Sequence, residues 1–98
     1  MIIMSHLICY MEKNKMKRIV LDSVKITTRE DLFAELKEQM QAEFFYGNNL
    51  DAFYDALTTY PEVIEIEILD EELFKENLGI YADRFIRVYW EYRQELEL

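Results

Sequence analysis

Residues 44–58 read FFYGNNLDAFYDALT, an aromatic run followed by a glycine turn and a stretch with apolar residues at helical spacing. Gly47 and the two asparagines after it predict a loop. Asn49 is a good N-cap, because its side-chain oxygen can accept a hydrogen bond from a free backbone N–H of the first helical turn. We therefore predict that a helix begins at Leu50 and ends near Thr58.

This predicted helix has two different faces. Three of its apolar side chains share one face and are expected in the core: Leu50, Phe53 and Leu57. The stripe beside them is polar and consists of Asp51, Asp55 and Thr58, with Tyr54 next to it. Two like charges one turn apart repel by about 0.2–0.5 kcal/mol, and the helix dipole favours Asp51 in the first turn more than Asp55. The stripe is therefore either a solvated face or a binding surface, and both interpretations stay open at this point.

The segment before this motif predicts one strand and one helix. Residues 18–22 form a β-branched run with a polar end, and residues 24–26 are expected to continue it along an extended path. A helix then opens with a capping box, in which either Thr27 or Thr28 pairs with the acidic residue three positions further on. The core positions of this helix are Leu32, Phe33, Leu36 and Met40.

The segment after the motif predicts one more strand and two more helices. Residues 63–68 alternate apolar and acidic side chains, which predicts a strand with its glutamates in solvent. Asp70 caps a short helix over 71–77, Gly79 ends it, and a longer helix follows over about 80–95. The inner side of that helix carries Tyr81, Phe85, Val88, Tyr89 and Tyr92. The order strand, helix, helix, strand, helix, helix predicts one α/β domain with a small parallel sheet.

The charge of the chain is strongly acidic and uneven. The 98 residues carry a formal net charge of −9, and residues 43–98 hold fourteen acids and four bases. Such a field repels phosphate backbones, so direct binding of nucleic acid is not expected. It attracts a basic partner, although acidity that only maintains solubility is the simpler alternative.

The sequence offers few groups for catalysis or metal binding. Cys9 is the only cysteine and His6 the only histidine, so an intramolecular disulfide is excluded and a zinc site would need carboxylate ligands. No glycine-rich phosphate loop is present, and we predict no cofactor. An enzyme that holds a divalent cation with Asp51, Asp55 and Glu91 is an alternative, but two aspartates one turn apart and a distant glutamate are a poor ligand set.

Residues 1–16 differ from the rest of the chain. Their apolar run is short and interrupted, no basic residue precedes it, and it lacks a small-residue cleavage site. It is also too short to span a membrane. We expect an extension that the domain over 17–98 does not need, with Met11 and Met16 as alternative starts and an edge strand or docking arm as other interpretations. The single cysteine and the absence of a signal peptide predict a cytoplasmic protein.

The motif Tyr46-Gly47-x-Asn49-Leu50-Asp51-Ala52-x-x-Asp55-x-Leu57-Thr58 resembles the signature of the barstar family, intracellular inhibitors of barnase-type ribonucleases. Residues 18–32 and 80–92 are similar to the first strand and helix and to the last helix of that family. The resemblance covers about residues 17–92. It implies an α/β fold with a parallel sheet of two or three strands and about four helices. The family usually adds a third strand where this chain ends, at residues 94–98, so here either a very short strand remains or the last helix runs to the end.

The resemblance also implies a partner-binding surface. In the family, the second helix and the loop before it enter the nuclease cleft, where two aspartates occupy phosphate positions. It implies that Asp55 is the central anchor, that Asp51 flanks it and that Phe45 lies over the catalytic centre. The other implied contact residues are Gly47 for close backbone approach, Asn49 and Thr58 for hydrogen bonds, and Tyr46, Tyr54, Tyr60 and Glu91 around them.

Three departures from the family concern the target rather than the mode of binding. Phe45 lacks a tyrosine hydroxyl, Tyr54 stands in place of tryptophan, and Trp90 stands in place of a basic residue. We expect a 1:1 complex with a basic extracellular-type ribonuclease and a monomer when free, without nucleic acid or membrane as a partner. The alternative is an interaction module whose acidic face binds a different basic protein.

Overall fold

The structure is a computed structural model that describes residues 16–96. Its elements follow the predicted order: β1 (Met16–Asp22), α1 (Arg29–Met40), α2 (Leu50–Thr59), β2 (Val63–Leu69), α3 (Glu71–Leu78) and α4 (Ile80–Leu96). Met16 already belongs to β1, one residue before the predicted start of the domain. The remainder of the predicted extension, residues 1–15, lies outside the described residues. None of the helices in the described part combines the length and the apolar character needed to cross a membrane.

The two strands pair in parallel, from Met16 opposite Val63 to Asp22 opposite Leu69. Between residues 16 and 96 the sheet has two strands, because α4 continues as a helix to Leu96. The predicted α/β fold with a small parallel sheet and four helices is therefore confirmed.

Side chains from the helices complete both edges of this narrow sheet. On the β1 edge, the Gln39 amide donates to the Val20 carbonyl at 2.7 Å and accepts from the Val20 N–H at 3.0 Å. On the β2 edge, the N–H of Ile64 donates to the hydroxyl of Tyr92 at 2.9 Å, and the N–H of Ile66 donates to the hydroxyl of Tyr89 at 3.0 Å. Burial raises the pKa of Tyr92. These contacts satisfy edge groups that a longer sheet would satisfy with another strand.

One continuous core lies between the sheet and the helices. The predicted core residues of α1 are buried, and so are Phe53, Phe85 and Tyr89. Phe53 and Phe85 stack with ring centroids 4.7 Å apart, which joins α2 to α4. The buried cluster consists of Ile19, Leu21, Ile26, Leu32, Phe33, Leu36, Met40, Phe45, Phe53, Ala56, Leu57, Ile64, Phe74, Ala82, Phe85, Tyr89 and Tyr92.

The extended path predicted for residues 24–26 is wrong. The chain turns there, with Lys25 N–H donating to the Asp22 carbonyl at 2.9 Å and Ile26 N–H donating to the Ser23 carbonyl at 3.3 Å. The Asp22 carboxylate also accepts from the N–H of Val24 at 3.1 Å. An aspartate that binds the backbone two residues on favours a turn, and this local contact overrides the β-branched pattern.

The capping box of α1 uses the second of the two predicted pairs. Thr28 Oγ1 accepts from the N–H of Asp31 at 3.1 Å, and Asp31 Oδ2 accepts from the N–H of Thr28 at 3.3 Å. Thr27 adds its own N–H and hydroxyl to the same carboxylate at 3.1 and 3.0 Å. These hydrogen bonds, with the Thr27 N–H first, lower the pKa of Asp31 from its usual 3.8.

Candidate partner-binding surface

The loop before α2 and the first turn of that helix form one compact unit. Asn49 has an extended backbone, and its Oδ1 accepts from the N–H of Ala52 at 2.8 Å, so it caps α2 as predicted. Gly47 lies against the same turn, since a Cβ added to it would stand 2.9 Å from the Cβ of Ala52. Glycine is therefore required for packing at this position, because the absence of a Cβ allows the loop to lie against the helix.

The two faces of α2 agree with the sequence pattern. Phe53 and Leu57 are buried, Leu50 is partly buried against the core, and Tyr54 is half-buried. The stripe of Asp51, Asp55 and Thr58 is exposed. The Thr58 hydroxyl donates within the helix, to the carbonyls of Tyr54 or Asp55 at 3.1 Å, and its oxygen retains the capacity to accept.

The acidic side chains of this surface form no ion pair within the described part of the chain. Between residues 16 and 96, ion pairs join Arg18 to Glu65 and Glu67, and Lys75 to Glu71. Asp51, Asp55 and Glu91 take part in none of them. The structure thus presents carboxylates on ordered helices without a compensating cation of their own.

The aromatic residues of the loop differ widely in exposure. Phe45, which was expected to lie over the partner's active site, is only 4% exposed and packs edge-on against Phe33 with centroids 6.3 Å apart. It therefore does not share the exposed surface, because burial in the core stabilises it more than solvent would. Tyr46 is 83% exposed, and Phe44 is partly exposed beside Tyr60. In this conformation the loop presents Tyr46 rather than Phe45.

The two remaining predicted residues lie at the end of α2 and on α4. Tyr60 is half-buried at the end of the helix, where its hydroxyl donates to the Met40 carbonyl at 3.2 Å. Glu91 is exposed on α4 and lines a shallow depression together with Tyr54. Gln94 and Glu95 line the same depression and were not among the predicted residues. The signal for Glu95 was its position one turn after Glu91 on the same helix.

The cation site considered from the sequence is not formed by the described residues. Between residues 16 and 96, no group of three histidine, cysteine, aspartate or glutamate side chains is arranged to hold a metal ion. Asp51, Asp55 and Glu91 therefore do not converge on a shared position. The arrangement suits contact with a partner's charged groups over an area instead of chelation of one ion.

Comparison with known proteins shows to which family the chain is similar. A family model described as "Barstar (barnase inhibitor)" matches residues 16–97. A protein of Bacillus subtilis (strain 168) named "Putative ribonuclease inhibitor YrdF" is 31% identical over 83 residues, which cover 84% of this chain and 91% of that protein. The family-model match spans the whole described domain, including α2 and the loop before it. The chain belongs to the barstar family.

Proposed function

We propose that this protein inhibits a barnase-type ribonuclease by inserting α2 and its preceding loop into the basic active-site cleft. Membership of the barstar family supports a role as a barnase-type inhibitor rather than as an enzyme. The single observation that carries the mechanism is the exposed stripe of Asp51 and Asp55, which form no ion pair between residues 16 and 96.

The chemistry of the inhibition is substrate mimicry. A ribonuclease cleft that binds RNA phosphates with arginine, lysine and histidine offers cations to any correctly spaced anions. Carboxylates on α2 fit this need, because the helix is capped by Asn49 and held in the core through Phe53 and Leu57. Such preorganisation reduces the entropy that binding would otherwise cost.

In this proposal Asp55 is the central anchor and Asp51 flanks it. Tyr54 and Glu91 extend the contact onto α4, and Tyr46 supplies the exposed aromatic contact of the loop. The complex has one inhibitor for each nuclease, and the free protein is a monomer. A cytoplasmic location stays a prediction.

The test is inhibition of a basic, barnase-type ribonuclease by the wild-type chain, Asp55→Ala and Asp51→Ala. Breaking one side of a desolvated charge pair costs about 3–5 kcal/mol, so Asp55→Ala is expected to weaken inhibition by at least on the order of 100-fold. Asp51→Ala is expected to have a smaller effect. Circular dichroism of each variant checks that the fold is intact.

Asp83→Ala is the matched control. Asp83 is an exposed aspartate in the first turn of α4, so this change removes the same charge outside the proposed surface. It is expected to inhibit within about threefold of wild type, as surface substitutions usually do little. An equal loss of inhibition in Asp83→Ala and Asp55→Ala would show that the change in net charge alone causes the effect. A folded wild-type chain that does not inhibit would refute the proposal and favour another basic partner.

A further inference from the structure

One lysine holds the loop that precedes α2. Lys37 lies in the last turn of α1, and its Nζ donates to the Tyr46 carbonyl at 3.2 Å and to Asn48 Oδ1 at 2.5 Å. The same ammonium lies 5.4 Å from the centroid of the Phe45 ring. A single side chain of α1 therefore contacts three of the four residues from 45 to 48.

This contact matters because the loop has little regular structure of its own. Residues 41–49 are neither helix nor strand, and ordering such a segment upon binding costs conformational entropy. An ammonium that bridges two loop oxygens and lies against a loop aromatic ring fixes the loop before a partner arrives. Tyr46 is the most exposed aromatic residue of the loop, and the hydrogen bond from Lys37 to its carbonyl fixes its backbone.

The positive charge of Lys37 has an effect on binding that opposes the effect of its hydrogen bonds. A positive charge at the loop before α2 weakens the attraction of a basic partner to this acidic protein, so removal of the charge alone would accelerate association. Loss of loop order would instead accelerate dissociation. The two roles of the lysine therefore change different rate constants, and kinetics separate them.

We propose that Lys37 is a positioning residue that holds Tyr46 and Asn48 in the conformation that binds the partner. This inference rests on the proposed function only for the identity of the partner. The ordering of the loop by Lys37 is a property of the free protein.

The experiment compares Lys37→Met, Lys37→Arg and Lys25→Met. Methionine keeps an unbranched apolar stem without the charge and the donors, whereas arginine keeps both. Lys25 is an exposed residue of the turn after β1, and Lys25→Met is the control for the loss of one positive charge. Association and dissociation rate constants are measured with a barnase-type ribonuclease, and amide hydrogen exchange of residues 44–49 is measured in the free proteins.

Lys37→Met is expected to dissociate about tenfold faster than wild type, as for the loss of hydrogen bonds to a charged group. Its association is expected to be unchanged or faster, and its loop amides are expected to exchange faster. Lys37→Arg is expected to dissociate nearly as slowly as wild type. Lys25→Met is expected to change neither dissociation nor exchange in the loop. A dissociation rate of Lys37→Met within twofold of wild type would overturn the proposal, as would unchanged loop exchange. If the wild-type chain does not bind the nuclease, the inhibitor function fails and loop exchange alone decides the role of Lys37.

Discussion

Gly47 stands where the loop touches the first turn of α2, and its lack of a side chain decides how closely the two approach. An added Cβ would lie 2.9 Å from the Cβ of Ala52 and 3.3 Å from Nδ2 of Asn49. The Cβ of Ala52 cannot rotate away, and the Asn49 amide is held by the hydrogen bond that its Oδ1 accepts from the Ala52 N–H. We expect Gly47→Ala to lower the free energy of unfolding by about 1–3 kcal/mol, as overpacking typically does, measured by urea denaturation.

A double-mutant cycle separates this steric cause from a change in backbone freedom. Ala52→Gly removes the atom that the new Cβ would meet, and alone it costs about 1 kcal/mol through helix propensity. In Gly47→Ala/Ala52→Gly the clash is absent. The double variant is therefore expected to lose less free energy of unfolding than the two single variants lose in sum. Strict additivity would contradict a contact between residues 47 and 52.

Asp31 gives the capping box of α1 a defined pH dependence. The N–H and hydroxyl of Thr27, followed by the groups of Thr28, hold its pKa below 3.8 in the folded state. Its contribution to stability is therefore complete above the unfolded pKa of about 3.9 and is lost as the pH falls through the lower folded value. We expect Asp31→Asn to lower the thermal midpoint at pH 7 and to approach the wild type below about pH 3.9. Glu30→Gln, which removes the same charge from the neighbouring residue, is the control. A lower thermal midpoint of Asp31→Asn that persists unchanged in acid would refute this assignment.

At the scale of the elements, the sheet depends on hydroxyl groups that come from α4. The Ile64 N–H is buried and donates to the Tyr92 hydroxyl at 2.9 Å. Tyr92→Phe removes this acceptor and leaves a buried donor unpaired, so a loss of about 1–3 kcal/mol is expected from urea denaturation. The amide of Ile64 is expected to exchange faster. Tyr46→Phe, which removes an exposed hydroxyl, is expected to change neither quantity, and wild-type stability in Tyr92→Phe would show that the edge does not need the hydroxyl.

The number and order of the elements could be predicted because their ends carry local signals. Thr28, Asn49 and Asp70 each accept a hydrogen bond from the first turn of the helix that they precede. Such contacts span three residues and are visible in the sequence. The turn after β1 was missed, because Val24 and Ile26 have the spacing and β-branched character of a strand.

The cover of the sheet edges could not be predicted in the same way. Gln39 binds the backbone of Val20 across 19 residues of sequence, and Tyr92 binds that of Ile64 across 28. No periodicity links such pairs, since they depend on how the helices pack on the sheet. Between residues 16 and 96 no third strand pairs with β2, and hydroxyl groups from α4 bind its edge instead.

The acidic face of the candidate surface followed from helical spacing, whereas the loop did not. In a helix the period of 3.6 residues fixes which side Asp51 and Asp55 face once Phe53 is buried. The loop residues Phe45 and Tyr46 have no such period. Burial of Phe45 against Phe33 and the contact of Lys37 with the loop arise from tertiary packing, so sequence alone could not assign the inward and the outward aromatic residue.

At the scale of the whole molecule, the negative charge is unevenly distributed along the chain. The net charge of −9 comes entirely from residues 43–98, which contain α2 and α4 with the candidate surface. A basic partner that approaches this acidic protein meets an attractive field before any contact forms. The exposed acids thus have two separable effects, one on encounter and one on the final contacts.

Ionic strength separates these two effects in the complex with a basic ribonuclease. The screening length falls from about 30 Å at 0.01 M salt to about 3 Å at 1 M, so the long-range attraction is lost while direct contacts excluded from water are screened much less. We expect the association rate constant to fall by at least on the order of tenfold across this range, with a much smaller change in the dissociation rate constant, both measured by stopped-flow fluorescence. Asp83→Asn and Asp55→Asn remove the same charge and are expected to reduce the salt dependence of association to a similar, small extent, whereas only Asp55→Asn is expected to accelerate dissociation. An association rate that does not respond to salt would mean that the net charge of −9 serves solubility and has no part in recognition.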